Sequence, residues 1–286
     1  MKIAILYICT GRYECFWDGF YRSCEKYFYP DIPKQYFVFT DSERVMAQEE
    51  TNVTCMFQRR AGWPYDTLLR FHWFAMAQDR WKDFDFCYFC NANVEFKGNV
   101  TEDVIPFPDD DKPLVFARLT IHEEHDNSND FTTEMNQEST AYVGKNVPCK
   151  SLWGAFNGGT AKAYLEMILE LRDNVQKDLN KGIIAVWHDQ SHLIHYGIDH
   201  PYVLVEKGIV AEQERNPDRQ TCRIMLLDKE RLGGKDNLRY SGIGARIRHG
   251  IISGYRLVLK VANTVGLGNA VKAIAKLFPG RSEWYR

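Results

Sequence analysis

An unbroken apolar run, Ile3–Cys9, opens the chain straight after Met1 and Lys2. A run without alternation predicts a strand buried on both faces, the situation in a parallel sheet covered by helices. The rest of the chain repeats that demand. Tyr36–Thr40, Val53–Phe57, Phe86–Cys90, Leu114–Arg118 and Tyr202–Val205 read as further short strands. Between them, Leu68–Arg80, Thr160–Leu179 and Asp189–Tyr196 read as helices. In the second of these, Tyr164, Met167, Ile168, Leu171, Val175 and Leu179 recur at three- and four-residue steps, the period of a buried helix face. The alternation predicts an α/β fold with a mostly parallel central sheet. Asp109–Asp111 and Glu123–Asn136 read as polar loops.

A length of 286 residues with 45% hydrophobic and 26% charged residues can bury a sizeable core and excludes a wholly disordered chain. The net charge of −2 hides a division. Residues 239–286 hold nine Lys/Arg and one acid, a net +8, so residues 1–238 carry −10. Gly233, Gly234, Gly242 and Gly244 lie along the linker Arg231–Gly244. The expected organisation is therefore an acidic domain, 1–238, and a basic tail, 239–286. An acidic domain is a poor general binder of nucleic acid. The eight cysteines are irregularly spaced and several fall in apolar runs, which predicts reduced core thiols and a cytoplasmic setting. Cys87 and Cys90 have a C-x-x-C spacing, but a strand would aim them at opposite faces. The N-terminal apolar run is short and lacks a small-residue cleavage site, so it reads as a strand rather than a leader. No stretch approaches the length of a transmembrane helix.

Five segments carry candidate chemistry. Cys9-Thr10-Gly11-Arg12-Tyr13 follows the first strand, where open α/β sheets bind ligands. It also suits an ordinary strand-to-turn passage, and the G-x-G-x-x-G dinucleotide fingerprint is absent. Asn91-Ala92-Asn93 follows the strand Phe86–Cys90. Two amides there can address a polar ligand, although they are weak ligands for a hard cation and Asn is a common turn residue. Leu152–Thr160 sets small residues beside aromatics at a helix entry, and Gly158-Gly159 there suits a turn equally well. In Trp187-His188-Asp189-Gln190-Ser191-His192-Leu193 the two histidines are four apart. That spacing suggests zinc, but the Glu of H-E-x-x-H is replaced by Asp189. Asp189 also suits a helix cap. Lys229 and Arg231 can clamp a diphosphate or form a solvated charged face.

Taken in this order, the segments resemble glycosyltransferase family 6, which includes the ABO blood-group transferases, the α-1,3-galactosyltransferases and bacterial relatives. The matching stretches are Tyr7–Tyr13, Val38–Asp41, Gly62–Pro64 through Leu69–Phe71, Cys90–Asn93, Glu138–Tyr142, Gly154–Thr160, Trp187–Tyr196 and Met225–Arg231. The resemblance implies a GT-A fold. It implies transfer of galactose or N-acetylgalactosamine from a UDP-sugar to the 3-position of a terminal galactose, with retention of the α configuration. Animal members carry Asp-x-Asp and use manganese. Asn91 and Asn93 resemble the bacterial type, which works without metal, so no cofactor is expected. The resemblance further implies that Cys9, Thr10 and Tyr13 line the uridine pocket, that Arg70 contacts the UDP-sugar, and that Asn91 and Asn93 face the diphosphate. Ala155 matches a position where Ala accompanies galactose donors and Gly accompanies N-acetylgalactosamine donors. Asp189 is expected to bond the donor sugar. Trp153, Trp187 and His188 are expected to shape the sugar and acceptor site. Lys229 and Arg231 are expected to meet the charge of departing UDP.

This chain departs from the family pattern in three places. Gln190 stands where the family has Glu, the candidate nucleophile or charge stabiliser. An amide cannot act as a general base, and double displacement needs a carboxylate. Glu134-Met135-Asn136-Gln137 stands for Glu-Arg-Arg, and Glu206-Lys207-Gly208 for Ser-Pro-Glu-Tyr; both lie on the expected acceptor side. Gln190 motivates a rival reading, a sugar-nucleotide or glycan-binding protein without turnover. A zinc hydrolase using His188 and His192 is a third.

The tail lies beyond the resemblance. On a helical wheel Ile243, Ile247, Ile251, Tyr255, Val258 and Val261 share one face, and Arg246, His249, Arg256 and Lys260 the other. Such a basic amphipathic helix suits an anionic membrane surface. It suits equally a helix pair folded back on the acidic domain. With the family context, the expectation is a cytoplasmic protein held at the inner face of the inner membrane.

Overall fold

The structure, a computed structural model, describes residues 1–232 apart from 119, 123 and 214–219, together with Leu238. The chain divides into two units, Met1–Lys229 and Glu230–Arg286. The expected tail, 239–286, and the amphipathic helix read within it lie outside the described residues.

The first unit begins with β1 (Ile3–Ile8), whose residues are buried almost throughout. A 3₁₀ turn, Gly11–Phe16, leads into α1 (Trp17–Tyr27). Next come β2 (Lys34–Thr40), α2 (Glu43–Met46) and β3 (Val53–Phe57). Three short helices follow, α3 (Tyr65–Leu68), α4 (Arg70–Met76) and α5 (Gln78–Trp81). Then come β4 (Phe86–Cys90), β5 (Val94–Phe96), β6 (Leu114–Arg118) and β7 (Leu152–Thr160). The chain continues through α6 (Ala161–Asn180), α7 (Asp189–Asp199), β8 (Tyr202–Leu204), β9 (Val210–Glu212) and β10 (Ile224–Leu226).

Seven strands form the main sheet in the order β3-β2-β1-β4-β7-β6-β8. All its pairings are parallel except those of β7, which runs antiparallel to β4 and β6. The expected α/β fold with a mostly parallel sheet is therefore observed. A second sheet, β5-β10-β9, lies beyond the end of β4. One face of the main sheet packs with α4, α5 and α6 through Phe71, Phe74, Trp81, Tyr164, Met167 and Ile168, all fully buried or nearly so. Cys87 belongs to this core, while Cys90, three residues on, does not.

Three expectations need correcting. The stretch Leu152–Thr160 is a central strand that runs straight into α6, with Thr160 at its N-cap, so Gly158-Gly159 is not a turn. Its glycines are there for close packing. A Cβ on Gly158 would lie 2.3 Å from the Tyr88 ring and 2.7 Å from the Cys87 carbonyl, closer than any real contact. Residues 68–80 do not form one helix. Leu69 and Ala77, at ψ of 6° and 7°, leave helical geometry and divide the segment into three. The turns let Leu68, Phe71, Phe74 and Trp81 all reach the core. Finally, Asp189 is not a cap. His188 occupies the N-cap of α7, and Asp189 is the first residue inside the helix.

Candidate active site

The parallel strands β1, β2 and β4 end at one edge, and antiparallel β7 begins there. The candidate residues gather along this edge. At the end of β1, Cys9 accepts a hydrogen bond at its carbonyl from Thr40 Oγ1, 2.9 Å. Gly11 then turns with φ +58°, a conformation that costs glycine little, and donates its N–H to Asp41 Oδ1 at 2.6 Å. Burial pushes the Cys9 thiol up to about 12, so it stays neutral and is no nucleophile. Thr10 is buried beside it and Tyr13 is half-buried. The Lys229 ammonium lies 5.1 Å from the Tyr13 ring centroid, within cation–π range. The end of β10 thus returns a cation to the turn after β1.

The two amides after β4 are held by neighbouring backbone. Asn91 donates its N–H to the Ala155 carbonyl at 2.8 Å and its Nδ2 to Asn93 Oδ1 at 3.1 Å. Asn93, almost fully buried, donates Nδ2 to the Leu227 carbonyl at 2.7 Å, and Leu227 donates its N–H back to the Asn93 carbonyl. Asn93 therefore ties β4 to the segment that carries Lys229. Arg231 falls in the 3₁₀ turn Lys229–Leu232; its side chain lies outside those described.

The third group joins α4, β7 and α7. Arg70 and Asp189 form an ion pair at 2.9 Å with side chains only 3% and 5% exposed. Arg70 also donates to the Gly154 carbonyl at 2.6 Å. Its guanidinium carbon lies 4.4 Å from the Phe89 ring centroid and 4.9 Å from that of Phe71. So enclosed, Arg70 braces Asp189 and β7 against each other. Burial pushes Asp189 up to about 6, against the opposing pull of Arg70 and of the backbone N–H groups of Asp189 and Gln190. Gln190 accepts the Gly154 N–H at Oε1, 3.2 Å. A Cβ on Gly154 would sit 3.1 Å from Asp189 Oδ2 and 3.6 Å from Gln190 Oε1. Ala155, on the opposite face of the strand, is buried.

Trp153 is buried in β7, and Trp187 is half-buried, its Nε1 donating to the Thr132 carbonyl at 2.9 Å. His188 adopts φ +53° and sets its ring edge-on to Trp63, 4.5 Å between centroids. His192 is buried in α7, its Nε2 3.9 Å from Asp178 Oδ2. Burial pushes it down to about 4 despite Asp178, so the ring is neutral at pH 7. Because His188 precedes the helix, the two histidines do not form the i,i+4 pair that the spacing suggests.

Two carboxylates have structural roles that the sequence reading did not give them, Glu134, named there only as part of a departing segment, and Asp178, not named at all. Glu134 accepts the Val186 N–H at Oε2, 2.7 Å, and the Asn136 N–H at Oε1, 2.8 Å. Asp178 accepts the Ser139 hydroxyl at 2.6 Å and the Thr140 N–H at 2.8 Å. Glu134 fastens the loop before β7 to the approach to Trp187, and Asp178 fastens the same loop to the end of α6. Each is a buried or nearly buried acid, and buried charge must find such partners; in the sequence both look like ordinary polar residues.

Comparison with known proteins agrees with this arrangement. Residues 1–207 match the sequence profile of Glycosyltransferase family 6. The O-antigen biosynthesis glycosyltransferase WbnI of Escherichia coli is 33% identical over 242 residues, covering 84% of this chain and all of WbnI. Histo-blood group ABO system transferase 2 of Rattus norvegicus is 22% identical over 205 residues, covering 69% of this chain and 59% of that protein. With a mostly parallel sheet whose strand ends carry the matching motifs, the chain belongs to glycosyltransferase family 6 and is a glycosyltransferase of the GT-A-like α/β type.

Proposed function

We propose that this chain transfers galactose, in preference to N-acetylgalactosamine, from a UDP-sugar to the 3-position of a terminal galactose or fucosyl-galactose on a surface glycan. The reaction retains the α configuration and needs no metal. The observation that carries this reading is the buried Arg70–Asp189 pair set against Gly154 and Gln190. Asp189 offers a fixed acceptor for sugar hydroxyls. The preference for galactose rests on the resemblance, in which Ala at the position of Ala155 accompanies galactose donors. Similarity to WbnI, an O-antigen biosynthesis enzyme, supports a bacterial surface glycan as the acceptor.

Asn91 and Asn93 are neutral, and neutral amides hold a hard cation weakly. Lys229, beside Tyr13, and Arg231 then meet the charge growing on UDP. With Gln190 unable to act as a nucleophile, the reaction follows the front face. The anomeric carbon–oxygen bond breaks, its electron pair leaving with the β-phosphate of UDP. The acceptor's 3-oxygen bonds the same face, and its proton passes to the departing phosphate oxygen. Trp153, Trp187 and His188 shape the acceptor side.

Gln190 favours one second reading, a catalytically impaired sugar-nucleotide or glycan-binding protein, since its Oε1 is already taken by the Gly154 N–H. A donor screen separates the two. Transfer from UDP-galactose to β-galactosides, undiminished by EDTA, is expected. Binding of UDP with no turnover of any donor would establish the second reading.

The same proposal puts the protein in the cytoplasm, with tail 239–286 as a separate unit on an anionic membrane surface. Among the described residues no helix is long and apolar enough to cross a membrane. Deleting residues 240–286 is expected to release the protein from anionic liposomes; continued sedimentation would contradict this.

A further inference from the structure

We propose that β3, the outer strand of the main sheet, pairs antiparallel with the β3 of a second copy of this chain, giving a two-fold dimer centred on Cys55.

β3 is bonded to β2 on one side and is the last strand in the sheet order. An open edge is a template for another strand, and proteins ordinarily guard it with charged residues, proline or a very short strand. Val53-Thr54-Cys55-Met56-Phe57 carries no charge and no proline. β8, at the opposite edge, has only three residues. Side chains alternate along a strand, so Val53, Cys55 and Phe57 share one face. On that face the Cys55 thiol donates to the Val45 carbonyl of α2 at 3.4 Å. Phe57 is 70% exposed, and Met46, next to Val45, is 39% exposed.

The backbone register selects the centre. Tyr36 donates its N–H to the Asn52 carbonyl at 2.8 Å, and Gln58 donates its N–H to the Thr40 carbonyl at 2.9 Å. Residues whose backbone faces a given neighbour alternate along a strand, so Asn52, Thr54, Met56 and Gln58 turn toward β2. Val53, Cys55 and Phe57 turn their N–H and C=O groups to the open side. The Val53 N–H is met by the Glu50 carbonyl at 3.2 Å, which leaves Cys55 and Phe57 as the outward donors of the strand. An antiparallel copy centred on Cys55 makes Cys55 a hydrogen-bonded pair with its own equivalent. The same register lays each Phe57 on the other copy's Val53, an aromatic and β-branched pair of the kind that supports sheets.

The flanks choose the direction and the occupant. Glu49 and Glu50, both exposed, lead into β3, whereas Arg59, exposed, and Arg60, half-buried, lead out of it. Antiparallel pairing brings the acidic entry of each copy to the basic exit of the other. Parallel pairing would set like charges together. The edge is thus complementary to itself. Two five-residue strands bury less surface than a standard interface, so association in the micromolar range is expected.

Sedimentation velocity of the full-length protein, over a hundredfold range of micromolar concentrations, tests this. A reversible monomer–dimer equilibrium is expected. Phe57→Lys, at an exposed strand end, should weaken it about tenfold, since the Phe57–Val53 pair occurs twice. Glu50→Arg and Arg59→Glu should each weaken the dimer alone, and an equimolar mixture of the two variants should recover it, because opposite charges then meet at both ends. A protein that stays monomeric throughout, a dimer indifferent to Phe57→Lys, or a mixture that recovers nothing would overturn the proposal.

Discussion

The edge of the main sheet contains two regions built on opposite principles. Around Arg70, Asp189 and Gly154, full charges are buried and paired, with side chains 3% and 5% exposed. Around Asn91, Asn93 and Leu227, neutral amides bond to backbone and to each other. The first region keeps a carboxylate where hydroxyls can be bonded, at the cost of desolvating it. The second avoids that cost but supplies no charge of its own. On the proposed reading, charge for the diphosphate comes from outside the amide pair, and the Asn93–Leu227 bonds anchor the segment that carries Lys229 to Tyr13.

The largest expected effect breaks the charged region. Arg70→Met leaves Asp189 buried without its partner and should cost about 3–5 kcal/mol of stability, read by chemical denaturation. Transfer should fall with it, and the acidic limb of the pH–rate profile should move upward as Asp189 loses the group that favours its ionised form. A stability change under 1 kcal/mol would show that the pair contributes little.

Gly154→Ala probes the same region by size. The added methyl meets Asp189 and Gln190, and overpacking of this kind costs about 1–3 kcal/mol. Transfer should drop sharply while UDP binding, measured by calorimetry, holds. Lys229→Met probes the neutral region and should give the converse. UDP binding should weaken by about tenfold or more, from loss of a charge-assisted contact, with little change in stability.

The smallest effect is the pH dependence of the intact protein. Asp189, raised to about 6, should give activity that rises with pH through that value if the ionised form bonds the donor. Its contribution to stability has the opposite sign. The folded state holds the proton more tightly than the unfolded one, so stability declines as pH rises from about 4 to 6. A pH–rate profile flat between pH 5 and 7 would remove Asp189 from the donor site.

Much of the frame was legible in the sequence. β4 and β6 match the apolar runs residue for residue, because buried strands leave a continuous apolar record; β3 matches too, although it is a half-buried edge strand. β7 was missed since Gly158 and Gly159, which signal a turn in most sequences, serve here to admit Tyr88 and Leu114. β5, β9 and β10 have three residues each, too few for any period. The resemblance named Arg70 and Asp189 separately, but their pairing joins segments far apart in the chain. Nor could patterning reveal that Glu134 and Asp178 spend their carboxylates on backbone N–H groups. Such partners are set by tertiary packing and leave no local signature.

The central claim is metal-free, retaining transfer of galactose, and the product itself tests it most directly. Incubate the full-length protein with UDP-galactose carrying ¹³C at the anomeric carbon, a fucosyl-galactoside acceptor and excess EDTA, and record the product's NMR spectrum. The account predicts an α-configured anomeric carbon linked to the 3-position of the acceptor galactose. A β-linked product, or transfer that appears only when manganese is restored, would contradict it.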